Sequence, residues 1–387
     1  MRAAFPLATL QPVSDTRNVW VALLLETSPP PRNDDLARLC ADCGLAEALG
    51  PLPCIVSLPD LSVDLAALRA EQTILRLPTA FLCDRANDEA LDALQVRGFR
   101  FMGSGLPLVG QTPHGHVNAF ALPCPGRGIP VGVGEWLGKL PGPHMALGAE
   151  EITCSGRCHF QWLAGNFPQH LLPGAGRQGD ASSRALLLEL LAAVASDADS
   201  HRIEATIKRD PQLSYHLLKL VNSVAFSVPT KIGSFGQAIA LLGRRQLQRW
   251  LQLLLYARGQ KGEAANPLLP QAAMRAGLAE ALCEKLGGSR DEQDRAFMAG
   301  MFSLLDTLFG IPIAEIMKPL NLAEDVATAL SARGGRLGLL LKAIEAGERG
   351  ARDELAALLA QAGIGHEAWA RALVSAVGWA AQVSREA

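Results

Sequence analysis

The sequence lacks an excess of charge of either sign and has few aromatic residues. Its 36 Lys and Arg against 38 Asp and Glu give a net charge of −2, and Phe, Trp and Tyr together make up 5%. Proteins that grip nucleic acid need a basic surface, and those that bind single strands also stack bases on aromatic rings. We therefore expect no nucleic acid among the partners of this chain.

Long apolar runs are missing too. No uninterrupted stretch reaches the roughly 18 apolar residues that indicate a membrane-spanning helix. The N-terminal segment has a single Arg followed by an apolar stretch that Pro6 interrupts, which makes it a poor signal peptide. We predict a cytoplasmic protein that does not bind membranes. Its 49% of apolar residues supply sizeable cores and exclude disorder as the main state.

The eight cysteines are predicted to be free thiols, because disulfides are rare in long chains without an export signal. Cys40 and Cys43 have the spacing of zinc ligands, and Cys154, Cys158 and His159 would complete a tetrahedral site. We favour the alternative that these cysteines are small buried apolar residues, and we predict no cofactor and no metal.

Proline is concentrated in the first part of the chain, where apolar runs of strand length alternate with helical patterns. This order is typical of a parallel α/β architecture. The predicted strands are 19–25, 54–58, 73–77 and 99–102, and the predicted helices between them are 34–49 and 87–97.

A Gly-rich, polar segment at 171–182 is the predicted linker. Residues 183–387 then form a predicted all-helical domain, because apolar residues recur there at helical spacing. The predicted helices in its later part are 272–286, 290–309, 323–332, 337–346, 352–361 and 366–384.

Residues 210–257 carry the segments DPQL, KLVNSVAF and SFGQAIALLG, followed by a helix with Arg and then Trp. This stretch resembles the HDOD domain, a bacterial signalling relative of the HD-type metal phosphohydrolases. The resemblance implies a helical fold for the second domain and a function in signal transduction.

The same resemblance implies that the hydrolase site is lost. HD hydrolases hold metals with histidines and an adjacent His-Asp pair, since imidazoles and carboxylates bind the metal that activates water. At the position of that pair this sequence has Ser303 and Leu304. The histidines of the second domain are scattered, at His201, His216 and His366.

The order of domains directs attention to the first part of the chain. Residues 11–15 with 19–25 look like the opening hairpin and first strand of an EAL domain, and 160–168 look like its closing segment. EAL domains are TIM-like barrels that hydrolyse cyclic di-GMP. The resemblance implies a TIM-barrel-like domain at 1–170, in which 130–136 would be a strand.

This barrel is predicted to be truncated and degenerate. About 250 residues are typical of a complete TIM barrel, so we expect trimmed helices or strands. EAL enzymes bind two divalent cations through Glu, Asn and Asp at strand ends. The resemblance places Ala22, Ser57 and Arg76 at ligand positions, with the Asp pair near 103–104 and Ala164 at the closing Gln, which implies that hydrolysis is lost.

Three functions compete. The first is a non-catalytic signalling scaffold that contacts protein partners and forms a homodimer. The second is a receptor for cyclic di-GMP or another nucleotide, with Arg244, Arg245 and Arg249 as an anion patch, although we favour an ordinary solvated basic face. The third is a different enzyme, built on Asp306, the cysteines or a metal at His114 and His116. For that His-x-His pair we favour an exposed polar loop.

Overall fold

In a computed structural model the chain divides into two compact units. The first joins residues 1–171 to 345–378, and the second joins 172–344 to 379–387. This division differs from the predicted single helical domain at 183–387, because part of the C-terminal helical region packs with the barrel. The structure describes residues 4–124, 131–148, 159–165, 189, 192–193, 199, 249, 252–253, 256, 266, 268–318, 320 and 322–386. The predicted linker at 171–182 lies outside them.

Eight strands close into a barrel in the first unit, in the order of the sequence. Strand β1 is antiparallel to both of its neighbours, β2 and β8, and the other pairs are parallel. The strands are β1 (Leu7–Asp15), β2 (Trp20–Ser28), β3 (Cys54–Ser57), β4 (Thr73–Pro78), β5 (Arg100–Ser104), β6 (Val117–Pro123), β7 (His144–Leu147) and β8 (Phe160–Ala164). The TIM-barrel-like fold is therefore confirmed, and the barrel is closed.

The truncation affects helices, since no strand of an eight-stranded barrel is missing. The described helices of residues 1–171 are short, and the connection from β5 to β6 contains none. They are α1 (Asn33–Ala41), α2 (Leu45–Ala48), α3 (Thr79–Leu82), α4 (Asp88–Val96) and α5 (Val131–Leu137). The predicted helix at 34–49 is interrupted at Gly44, which has a φ of 72°, a left-handed conformation that ends helices.

The prediction of a strand at 130–136 is wrong, because Val131–Leu137 form helix α5. The resemblance to EAL domains implied a strand here, yet the buried positions are Gly134 and Leu137, three residues apart as on one helix face. Trp136 lies beside Phe120, with ring centroids 4.8 Å apart. Packing against β6 therefore decides the helical state of this segment.

The interior of the barrel is filled by apolar side chains. Alternate residues of each strand point inward, and bulky and small side chains together pack the centre of an eight-stranded barrel. The buried cluster comprises Val13, Ala22, Leu24, Ile55, Ile74, Met102, Ala119, Ala121, Met145 and Ala164.

The later helices are α6 (Leu268–Lys285), α7 (Arg290–Phe302), α8 (Leu305–Phe309), α9 (Ile313–Met317), α10 (Glu324–Ala332), α11 (Gly335–Glu348), α12 (Arg352–Ala362) and α13 (His366–Glu386). Helix α12 and most of α13 belong to the barrel unit. The buried Trp369 donates from Nε1 to the carbonyl of Ala8 at 2.8 Å, and Arg38 pairs with Glu367 at 3.2 Å. These contacts tie α13 to β1 and α1.

Helices α6 and α7 cross closely in the second unit. Most of α6 is buried, as expected of a helix in the centre of a domain. At the crossing lies Gly300, where an added Cβ would come within 2.6 Å of the carbonyl oxygen of Arg275 and of the Cα of Ala276. In the part of the chain that the structure describes, no helix is long and apolar enough to cross a membrane.

We predict that Gly300→Ala lowers the free energy of unfolding by about 1 to 3 kcal/mol, because backbone atoms cannot move aside for the new methyl group. Thermal or chemical unfolding of the purified protein measures this. Gly365→Ala is the control, since a Cβ there meets open space. Equal stability of the Gly300 variant and the wild type would contradict the close crossing.

His144 on β7 is a buried histidine held in one tautomer. Its Nδ1 accepts the backbone N–H of Phe120 at 3.3 Å, so its Nε2 carries the proton and donates to the carbonyl of Leu137 at 3.0 Å. Burial lowers the pKa of His144, and the carbonyl contacts offset that effect only in part. The folded protein therefore keeps this ring neutral.

This burial predicts a pH dependence of stability. The unfolded chain takes up a proton at this histidine near pH 6.5, its ordinary value, while the folded chain does not. Stability therefore falls as the pH drops below that value, by up to about 1.4 kcal/mol per pH unit from this group. We expect the fall in the free energy of unfolding between pH 7 and pH 5.5, measured by urea unfolding, to be smaller for His144→Gln than for the wild type. Parallel losses in both proteins would refute the assignment.

Candidate functional site

A polar cluster lies at the carboxyl end of the parallel strands, where barrel enzymes place their catalytic residues. The register pairs Ser57 with Arg76, and Glu26 follows Leu25, whose partner is Val56. The three side chains continue the inward-facing row two residues beyond Leu24, Ile55 and Ile74. They therefore form a polar layer on top of the apolar interior, called here the rim cluster (Glu26, Ser57 and Arg76).

The rim cluster is internally bonded. The guanidinium of Arg76 donates from Nε to Ser57 Oγ at 2.8 Å and from Nη2 to Glu26 Oε1. The side chains of Arg76 and Glu26 are only 11% and 14% exposed. Burial lowers the pKa of Arg76, and the neighbouring carboxylate of Glu26 counteracts that effect. The pair is thus a largely buried ion pair.

The end of α11 and the start of α12 lie at this rim. Arg352 donates to the second oxygen of Glu26 at 3.1 Å, and Gln11 of β1 donates to the carbonyl of Glu348 at 3.1 Å. One carboxylate therefore bridges two guanidinium groups. Residues of the same unit therefore cover the side of the barrel mouth formed by β1 and β2.

The structure brings two of the predicted first-domain positions together and separates the third. Ser57 and Arg76 are in contact, whereas Ala22 lies in the apolar interior below them. At the expected Asp pair, a Cβ on Gly103 would come within 2.6 Å of the ring of Phe120, so a larger residue does not fit there. Glu26 was not among the predicted site residues. The sequence feature that could have identified it is its charge, at an inward-facing position near the end of the otherwise apolar strand β2.

The two predicted positions of the second domain are buried. Ser303 receives a hydrogen bond from Arg275 at 3.0 Å and donates to the carbonyl of Gly300 at 2.7 Å. Arg275 is 3% exposed and Leu304 is 2% exposed. Tyr256, fully buried, donates to the carbonyl of Met301 at 2.6 Å, and burial raises its pKa. A cationic guanidinium therefore lies beside the Ser303–Leu304 position.

Arg249 pairs with two carboxylates. Its guanidinium donates to Asp294 at 3.0 Å and also to Glu280, and it lies over the ring of Phe297 at 4.6 Å. Burial opposes its charge, but the bonds to Glu280 and Asp294 outweigh burial and raise the pKa of Arg249. An anion would have to displace these partners.

The structure describes only some of the other predicted positions. Arg244 and Arg245 lie outside the described residues, so the anion patch stays a prediction. Cys154, Cys158, His201 and His216 lie outside them as well. The described cysteines are free thiols, at Cys40, Cys43, Cys54, Cys83, Cys124 and Cys283.

Residues 184–315 match the HDOD domain family, so the predicted HDOD resemblance is confirmed over that range. The cyclic di-GMP phosphodiesterase CdgJ of Vibrio cholerae is 29% identical over 194 residues, 49% of this chain and 43% of that protein. The uncharacterized protein YuxH of Bacillus subtilis is 37% identical over 131 residues, 33% of this chain and 32% of that protein. The matches thus span less than half the length of these curated relatives.

Among solved structures, the cyclic di-GMP and calcium complex of BlrP1 from Klebsiella pneumoniae aligns over 42% of this chain and 54% of that chain. The TM-score of this alignment is 0.33 and the sequence identity is 13%.

We expect Glu26→Gln to lower the free energy of unfolding by about 2 to 4 kcal/mol, because it leaves the guanidinium of Arg76 buried without its counter-charge. The double variant Glu26→Gln/Arg76→Met should recover most of this loss. Arg352→Ala removes a half-exposed partner, so it should cost less than about 1 kcal/mol. The single variant Arg76→Met completes the double-mutant cycle, and additive effects of the Glu26 and Arg76 changes in urea unfolding would argue against a buried pair.

Proposed function

We propose that this chain is a non-catalytic regulatory protein of a bacterial signalling pathway that acts through contacts with protein partners. The match to the HDOD domain and the similarity to a protein named as a cyclic di-GMP phosphodiesterase support a place in signalling. The observation that supports a non-catalytic role is that the carboxylate of Glu26 in the rim cluster is paired with the guanidinium groups of Arg76 and Arg352. A second copy of the chain is one of the partners we propose.

The rim does not fit a pair of divalent cations. Such hard cations need several oxygen ligands, chiefly carboxylates. In the eight strands the acidic residues are Glu26 and Asp15, and Asp15 lies at the opposite end, in the β1–β2 hairpin. Glu26 is held by Arg76 and Arg352. Two positive charges at the same carboxylate oppose the entry of a cation.

The helical unit does not fit a metal at the Ser303–Leu304 position either. A metal site there would require imidazole and carboxylate donors, and neither side chain is one. The guanidinium of Arg275 at 3.0 Å from Ser303 Oγ adds a fixed positive charge. We therefore infer that this fold is kept for a surface it presents and not for hydrolysis.

A second candidate is a receptor that binds cyclic di-GMP or another nucleotide without hydrolysing it. The relative CdgJ favours this ligand by its name. Arg76 and Arg352 would suit phosphate groups, since guanidinium groups bind phosphate oxygens in bidentate fashion. A ligand would first have to release both from Glu26, so the ion pair competes with binding.

The test is an assay of the full chain with cyclic di-GMP, in the presence of Mg²⁺ or Mn²⁺. We expect no linear product above a protein-free control, and no heat of binding in isothermal titration. Product formation that disappears in the Glu26→Gln/Arg76→Met variant would overturn the non-catalytic proposal at the barrel. Product formation that persists there and disappears in Ser303→Ala would overturn it at the helical unit.

A saturable heat of cyclic di-GMP binding without product formation would favour the receptor over the scaffold. In that case Glu26→Gln, which releases Arg76 and Arg352, should bind the nucleotide more tightly than the wild type. Arg352→Ala should bind it more weakly, because a phosphate partner is lost. If neither variant changes the affinity, the nucleotide binds elsewhere on the chain.

A further inference from the structure

Two histidines and two aspartates converge between α4 and the connection from β5 to β6, and none of them belongs to the rim cluster. Asp88 and Asp92 lie one turn apart on α4, and His114 and His116 lie in the connection from β5 to β6. Asp92 Oδ1 is 3.3 Å from Nε2 of His114 and 3.4 Å from Nε2 of His116. Asp88 Oδ1 is 3.9 Å from the same nitrogen of His114.

The chain positions these groups from two independent segments. Helix α4 presents the aspartates, because residues four apart share a helix face. The connection at 105–116 contains no helix, but its end is fixed by the backbone. The amide of His114 donates to the carbonyl of Leu82 at 2.8 Å, and the amide of Val117 donates to the carbonyl of His114 at 2.9 Å. Both imidazole rings are thereby aimed at one carboxylate oxygen.

The separations of Asp92 Oδ1 from the two imidazole nitrogens match those of a tetrahedral metal site. Zinc binds imidazole nitrogen and carboxylate oxygen at about 2.0–2.1 Å, which separates tetrahedral donor atoms by about 3.3–3.4 Å. The two measured separations from Asp92 Oδ1 have these values, and donor atoms of Asp92, His114 and His116 all lie within 4.8 Å of one another.

The kinds of donor narrow the choice of metal. Imidazole ligands suit zinc and its neighbours among the transition metals, whereas calcium and magnesium take oxygen ligands alone. The donors are one carboxylate and two imidazole rings, and Asp88 Oδ1 lies 3.9 Å from Nε2 of one of them, His114.

A salt bridge alone would not require this convergence. Histidine–aspartate pairs on a surface are ordinary, and the amide of His116 donates to Nδ1 of His114 at 3.5 Å. A metal ion at Nε2 would shift the ring proton to Nδ1 and replace this weak hydrogen bond. Two rings from a loop of irregular structure meeting one oxygen is the arrangement that a shared cation stabilises. Such a cation would fasten the helix-free connection to α4.

We propose that Asp92, His114 and His116 form a binding site for a divalent transition metal ion, zinc in the first place, with Asp88 or water as the fourth ligand. The ion is structural: it ties the connection between β5 and β6 to α4. The site shares no residue with the rim cluster, so it stands or falls independently of the proposed function.

Cobalt titration tests this directly, because Co²⁺ takes tetrahedral zinc sites and absorbs visible light there. Metal-free full-length protein in reducing buffer is titrated with Co²⁺. We expect one equivalent to give the intense d–d bands of a tetrahedral site without thiolate-to-cobalt charge-transfer absorption, and Zn²⁺ to displace it. His116→Ala should weaken binding at least tenfold, and Asp92→Asn should act similarly. Glu89→Gln, an exposed change on the same helix, is the matched control and should bind like the wild type.

Three results would overturn the site. They are an absence of binding at millimolar Co²⁺, a spectrum dominated by thiolate charge transfer, and affinity unchanged in His116→Ala. His116→Ala alters a half-exposed side chain (42% exposed), so the metal-free fold of this variant should match that of the wild type by circular dichroism. If that fold differs, Asp92→Asn, which keeps the shape of the side chain, decides the question with the same titration.

Discussion

Closing the sheet constrains the rest of the barrel unit. Val13 of β1 pairs with Ala22 on one side and with Ala164 on the other, so the antiparallel first strand completes the ring with small side chains at the seam. Eight strands leave an interior just wide enough for side chains. Once apolar groups fill it, polar chemistry is restricted to the ends of the strands and to the outer surface.

The rim cluster is the polar boundary of that apolar core. A carboxylate between two guanidiniums is electrostatically satisfied, and a buried pair of this kind is costly to break by removing one member. The partner that contacts the rim cluster from outside, Arg352, comes from a distant part of the sequence, 326 positions after Glu26. Stability and the covering of the mouth thus depend on the same ion pairs, which favours a fixed surface over an open pocket.

The sequence predicted elements whose signals are local. The apolar runs of β2 to β5 stand between turn residues, and the helices from α10 to α13 follow their apolar spacing closely. Strand β6 was not predicted, and the strand expected where α5 lies came from the resemblance to EAL domains and not from a local pattern. The position of Glu26 was visible, but its partner Arg352 was not, since no local pattern reports a contact across more than three hundred residues. The convergence of His114 and His116 on Asp92 likewise depends on how the β5–β6 connection folds back over α4.

The barrel unit is interrupted along the chain by the helical unit, and this has a consequence during synthesis. After β8 leaves the ribosome, roughly 190 further residues must be translated before Arg352 emerges and roughly 205 before Trp369 does, which takes on the order of ten seconds or more. Throughout that interval the nascent barrel has an uncovered mouth and an exposed outer face on β1. A chaperone that shields apolar surface would find its target there. Ribosomes stalled within the helical unit would release a barrel that cannot complete itself.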